Sequence, residues 1–128
     1  MGLGLLKIII MLFRFREFRI NKESLMYRKE IYNLTKTYRK YELYVLTSQL
    51  RRAANSIVLN IAEGSNRSSY LDFKRFLNLA FTSLEEVVAC LDISIKEDYL
   101  SKEKYNQLLS KAEILGKQIL SFINKLSK

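Results

Sequence analysis

Two consecutive arginines, Arg51 and Arg52, stand in a stretch with the apolar period of an amphipathic helix. Guanidinium groups grip phosphate in a planar fork, so the pair reads as a contact to the backbone of a polyanion. Arg39, Lys40 and Arg67 read as further phosphate contacts that position a nucleic acid without reading its bases. At about 100° per residue, Arg52, Asn55, Ser56, Asn60 and Glu63 fall on one polar stripe, opposite Leu50, Ile57 and Ile61. A plain surface helix fills that face with lysine and glutamate. Asparagine and serine are mediocre helix formers whose side chains make directional hydrogen bonds. Two readings fit the stripe: a polar recognition face, or a hydrogen-bonded network between helices or subunits. Glu63 lies near a helix C-terminus, where a carboxylate opposes the dipole, so Arg67 or an arginine of another helix is expected to compensate it.

Residues for catalysis are scarce. The chain has no histidine, which removes the commonest general base and the commonest metal ligand. Its single cysteine, Cys90, flanks an apolar stripe and has no imidazole to activate it, so it reads as structural. Glu85 and Glu86 are adjacent and point about 100° apart on a helix, so they make no ready acid/base pair. None of the four glycines builds a phosphate loop before a Gly-Lys-Ser/Thr. No catalytic residue, metal site or cofactor is expected.

Charge points the same way as the arginines. The 22 Lys and Arg against 13 Asp and Glu give +9, and residues 1–60 hold twelve basic and four acidic residues, a net of +8. Such a concentrated field favours a polyanionic partner over an acidic small molecule. Tyr27, Tyr32, Tyr38, Tyr41 and Tyr44 are interleaved with Arg28, Lys29, Lys36, Arg39 and Lys40. That mixture suits stacking and holding a single strand, and equally suits tyrosines that cover a bundle end with their hydroxyls in water.

The elements that must carry these residues are helices. A length of 128 residues fits one domain, and no proline with four glycines cannot supply the turns of a sandwich or barrel. A first helix runs from about Asn21, with Asn21 or Ser24 as N-cap and Leu25, Ile31, Leu34 and Tyr38 inward. A turn at Tyr38 to Tyr41 leads to a second helix from about Glu42 to Glu63, with Leu46, Leu50, Ala53, Ala54, Ile57 and Ile61 as its stripe and Gly64 as a left-handed stop. Ser68 or Ser69 caps a third helix with Phe73, Phe76, Leu77, Ala80, Leu84, Val87, Val88 and Leu91 inward. Ser101 caps a fourth carrying Tyr105, Leu108, Ala112, Leu115, Ile119, Phe122 and Leu126. Gly116 inside it costs about 1 kcal/mol against alanine unless a close crossing needs it. The expected fold is all-α, an antiparallel up-and-down four-helix bundle over residues 21–128. A second apolar strip on the third helix, Leu71, Ala89 and Ile93, suits an oligomer interface.

Residues 1–20 read as a short N-terminal extended arm. Met1–Phe13 is apolar apart from Lys7 but shorter than the roughly 20 residues a bilayer span needs, so no membrane role is expected. Met11 is a second methionine ahead of the arm, making residues 1–10 a candidate upstream extension. Phe13 and Phe15 alternate with Arg14 and Arg16, the period of a short strand or extended arm packed on the bundle or a neighbouring subunit.

The stretch Gln49 to Glu86 resembles the signature of the 23S rRNA intervening-sequence protein family. The matching elements are Gln49, Arg51, Arg52, Ala53, Ser56, Ile57, Asn60 to Gly64, Asp72, Phe73, Arg75 to Leu77, Ala80, Ser83, Leu84 and Glu85. The helical pattern extends the similarity from about Phe13 to Leu126. One departure is the turn before the second helix, where the family usually has a proline and this chain has Arg39-Lys40. The resemblance implies a bundle that assembles as a ring-like homopentamer. It extends distantly to the accessory protein of diversity-generating retroelements, a basic pentamer that binds nucleic acid and a reverse transcriptase. The expectation is therefore a non-enzymatic, oligomeric, cytoplasmic bundle that binds RNA or DNA. The alternative is a protein-interaction scaffold, with a reverse transcriptase or toxin-like neighbour as partner and no nucleic-acid role.

Overall fold

The computed structural model describes residues 2, 4 and 12–126. Among them are four α-helices and no strand: α1 (Arg19–Thr35), α2 (Tyr44–Ser65), α3 (Tyr70–Lys96) and α4 (Lys102–Leu126). Each packs on its neighbours in sequence and α1 closes onto α4, an antiparallel up-and-down four-helix bundle. The stripes expected in α2, α3 and α4 face the core: Leu50, Ile57, Ile61, Leu77, Val87, Leu91, Leu108 and Ile119 are fully buried. Ser69 caps α3 by accepting from the Asp72 N–H at 3.1 Å, and Ser101 caps α4 by accepting from the Lys104 N–H at 3.1 Å.

The start of α1 differs from expectation. Asn21 and Ser24 are buried inside the helix, so neither caps it, and the Asn21 amide oxygen has no hydrogen-bond partner among the described residues. Phe18 takes the N-cap position in extended geometry with no side-chain bond. An apolar anchor replaces the polar cap, because the Phe18 ring packs on Phe122 at 5.1 Å and Phe73 at 6.3 Å between centroids. That anchoring sets the inward face as Ile20, Ser24, Tyr27, Ile31 and Leu34, and turns Leu25 out, 46% exposed. Phe13 and Phe15 do not alternate along a strand. Arg14–Glu17 is a single 3-10 turn, tied to the bundle where the Arg14 guanidinium donates to the Ser65 carbonyl at 3.2 Å. The candidate extension at residues 1–10 lies outside the described residues except for Gly2 and Gly4.

Helix ends also differ. No glycine among the described residues has positive φ, and Gly64 is helical because α2 continues to Ser65. Its role is close approach: a Cβ there would lie 2.7 Å from the Phe76 Cβ and 3.0 Å from a Phe73 ring carbon. The left-handed stop belongs to α3 instead. Asp98 has φ 61°, with its N–H bonded to the Ile95 carbonyl at 3.1 Å and the Tyr99 N–H to the Ser94 carbonyl at 2.8 Å. That is the Schellman pattern, with aspartate where glycine is usual.

Two of the tyrosines are core residues. Tyr27 donates to the Leu108 carbonyl at 3.1 Å, and Tyr38 donates to Ser94 Oγ at 2.7 Å, which itself donates to the Cys90 carbonyl at 2.9 Å. Burial pushes both phenols above the ordinary tyrosine value of 10.0. The folded state therefore holds these protons more tightly than the unfolded chain, a contribution present below pH 10.0 and lost as pH rises past it.

Two measurements check this packing. Gly64→Ala is expected to lose about 1–3 kcal/mol by overpacking against α3. Gly116→Ala, whose Cβ would sit 3.4 Å from Phe81 and 3.5 Å from Leu84, is expected to be neutral or to gain up to about 1 kcal/mol. Urea melts that rank the two the other way would remove the close-approach argument. Tyr27→Phe is expected to lose about 1 kcal/mol at neutral pH. Its stability should also fall less steeply than the wild type's above pH 10.0, read from melts at stepped pH. Parallel curves would show that the phenol does not carry the alkaline loss.

Candidate nucleic-acid interface

Local pairing decides where positive charge stays uncompensated. Glu17 pairs with Lys22 at 3.7 Å, Glu23 with Arg19 at 3.9 Å, Glu42 with Arg39 at 3.2 Å, and Glu30 reaches across to Lys111 of α4. These are the acidic residues of the first sixty positions, so each already has a cation. Arg14, Arg16, Arg28, Lys29, Lys36, Lys40 and Arg51 are left with no carboxylate partner among the described residues.

Three of these cations meet. The C-terminal end of α1, the Lys36 to Leu43 connection and the first half of α2 enclose a cleft of about 380 Å³. Lys36, Lys40 and Arg51 line it together with Thr35, Tyr38, Tyr44, Thr47 and Ser48, and no carboxylate is in the lining. The Arg51 Nε donates to Thr35 Oγ1 at 2.9 Å, which orients the guanidinium and leaves its terminal N–H groups without a partner among the described residues. Its Cζ lies 4.6 Å from the centroid of the Tyr32 ring, and the Arg28 Cζ lies 4.1 Å from the same centroid. Arg28 is in turn held by its Nε donating to Asn55 Oδ1 at 2.5 Å, and Asn55 donates to the Tyr32 hydroxyl at 2.8 Å. The electron-rich ring holds two like charges side by side where no carboxylate does. An oriented guanidinium, two lysines and hydroxyls in a carboxylate-free cleft suit a phosphate oxygen.

Of the five cations singled out in the sequence, Arg51 and Lys40 share this cleft. Arg39 is next to it but bonded to Glu42. Arg52 points 100° away and donates to Glu86 of α3 at 2.6 Å. Arg67 lies beyond the far end of α2, about 24 Å along the helix axis from Arg51, where it compensates Glu63 at 2.8 Å and covers the Phe76 ring at 4.4 Å. Lys36 and Arg28 complete the cationic group. Their signal in the sequence was the Arg28, Tyr32, Lys36 spacing of four, which stacks them on one helix face.

The polar stripe of α2 is largely spent between helices of one bundle. Asn55 bonds to α1 as above, Ser83 of α3 donates to Ser56 Oγ at 2.9 Å, and Asn60 donates to the Ser56 carbonyl at 2.8 Å. Asn55, Ser56 and Asn60 are half-buried. The hydrogen-bonded network is therefore the arrangement present. Cys90 is buried, and its thiol is pushed up by burial and by the nearby Glu86 carboxylate, against a smaller lowering by Arg52. A raised thiol is a poor nucleophile. Among the described residues no group of three acidic or cysteine side chains gathers as a metal site, and no helix is long and apolar enough to cross a membrane.

A second surface feature lies between α3 and α4. An apolar groove of about 600 Å³ is walled by Phe81, Leu84, Val88, Leu109, Ala112 and Leu120, with Glu85, Asp92, Glu113 and Lys117 at its rim. Ala89 of the expected second strip lines it, whereas Leu71 and Ile93 are exposed elsewhere on α3.

Comparison with solved structures finds a similar fold in a protein of unknown function from the S23 ribosomal protein family of Bacteroides thetaiotaomicron. The two share 28% identity at a TM-score of 0.75, over 81% of this chain and 97% of that one. No curated protein matches the chain. The profile of the 23S rRNA-intervening sequence proteins matches residues 16–121, which takes in the cleft, the α2 stripe and all but the end of α4. The chain belongs to the 23S rRNA-intervening sequence protein family.

Proposed function

We propose that this bundle is a non-enzymatic, oligomeric protein that binds the sugar-phosphate backbone of RNA or DNA at the α1–α2 cleft. One observation carries the reading: Lys36, Lys40 and Arg51 converge on a cleft without a carboxylate, in a half of the chain where every acid is already paired. Arg28 and Lys29 extend the positive surface along α1, and Arg39 joins it when its exposed pair with Glu42 opens, since such pairs hold by less than about 1 kcal/mol. A cytoplasmic setting tied to ribosomal RNA intervening sequences or to a retroelement reverse transcriptase belongs to the same proposal.

A second reading is favoured by the α3–α4 groove. Its apolar wall and acidic rim suit a protein surface, either another copy in a homopentamer or a separate partner, with the charge serving only to dock.

Binding to labelled RNA and duplex DNA of equal length, measured by anisotropy across about 50 to 200 mM salt, is expected to collapse as phosphate contacts are screened. The triple variant Lys36→Gln, Lys40→Gln, Arg51→Gln should weaken binding and flatten the log–log salt slope by up to about 3, since each neutralised phosphate contributes about 0.9. Arg67→Gln should leave the slope near wild type. An unchanged slope in the triple variant sinks the cleft assignment. Light scattering is expected to show a mass several times 15.1 kDa that falls when Val88→Glu places a charge in the groove. A single-chain mass for the wild type would remove both the assembly and the groove's part in it.

A further inference from the structure

At the edge of the cleft are aromatic rings that phosphate binding leaves unused. We infer that the nucleic acid held there is single-stranded, with unpaired bases stacked on Tyr41 and Tyr44; this rests on the cleft being the phosphate site. Tyr44 is one of the lining residues and Tyr41 follows Lys40 directly. The Leu43 N–H bonds to the Arg39 carbonyl at 3.0 Å, so residues 39–43 curl as one helical turn into α2. Tyr41 lies on that turn and Tyr44 is the first residue of α2, so both rings belong to the same connection at the cleft's edge.

Their exposure sets them apart. Tyr41 is 98% exposed and Tyr44 is 70% exposed. Neither has a hydrogen-bond or ring partner among the described residues, so their faces are open to water. The others are occupied: Tyr27 and Tyr38 are core donors, Tyr32 lies under two guanidiniums, Tyr99 meets the Tyr38 ring, and Tyr105 donates to Asp92. Tyr70 is also exposed, but it opens α3 at the opposite end of α2 from the cleft.

Two open phenol rings beside the cleft's cations reproduce the parts of a single-strand platform: a cationic track and a π-surface for each base. A duplex keeps its base faces stacked on one another and offers the rings only its edges and backbone. The cations act on either form, so the tyrosines are what distinguishes them.

The test uses the full chain with a twelve-nucleotide oligouridylate and a duplex of equal phosphate count. The wild type is expected to bind the single strand at least tenfold more tightly than the duplex. Tyr41→Ala, Tyr44→Ala should lose tenfold or more on the single strand, with duplex affinity and salt slope unchanged, and Tyr41→Phe, Tyr44→Phe should retain the preference. Wild-type affinity for the single strand in the alanine variant overturns the stacking inference and leaves the phosphate site standing. Equal loss on both probes, or an altered assembly mass, also overturns it, because the tyrosines then act in folding or in a subunit contact. No binding of either probe by the wild type defeats the phosphate reading itself.

Discussion

The contact between α2 and α3 governs the bundle, because it is where the two backbones come closest. Phe73 and Phe76 lie against the bare Cα of Gly64, and Ala53, Ala54 and Ala80 are buried along the same pair of helices. Small residues allow the helices to approach, and the ring atoms then fill the space beside them at interior density. From this seam the rest follows: α1 and α4 pack on its flanks and are joined at one end by Phe18, Phe73 and Phe122. The seam also carries polar connections, Arg52 to Glu86 and Ser83 to Ser56, that tie α2 to α3 in register.

Because α2 is held by α3 on one side, its other flank is free to meet α1. Arg51 and Arg52 are adjacent in the chain yet serve different neighbours, one oriented by Thr35 over the Tyr32 ring and the other bonded to Glu86. The helical step between them separates a cation available to a ligand from one engaged within the fold. The missing proline in the connection is compatible with this arrangement: residues 39–43 make a helical turn that leads Lys40 to the cleft edge.

The bundle was legible because apolar residues recur at three and four along α2, α3 and α4, and burial follows that period. Where competing physics entered, the reading drifted. Leu25 looked inward by its place on the helical face of Ile31 and Leu34, but with Phe18 anchored at the start of α1 Tyr27 takes the core position. Gly64 looked like a stop, since a glycine before Ser-Asn reads as a left-handed cap, whereas its reason is the close approach of Phe73 and Phe76 on the next helix, which local pattern does not reveal. For the proposed site, residue types pointed to the first half of the chain, and pairing could not be read. Which cations keep their charge depends on which glutamate each one reaches, and Glu30 reaching Lys111 and Arg52 reaching Glu86 are tertiary facts.

The two guanidiniums over Tyr32 bear on how salt acts on the molecule. Holding Arg28 and Arg51 on one ring, within a chain of net charge +9, stores repulsion that dissolved anions relieve. Added electrolyte therefore shields the folded bundle from its own charge. If a polyanion binds the cleft as proposed, ionic strength acts with opposite signs on folding and on binding, and the bound polyanion would supply the shielding that a dilute solvent lacks.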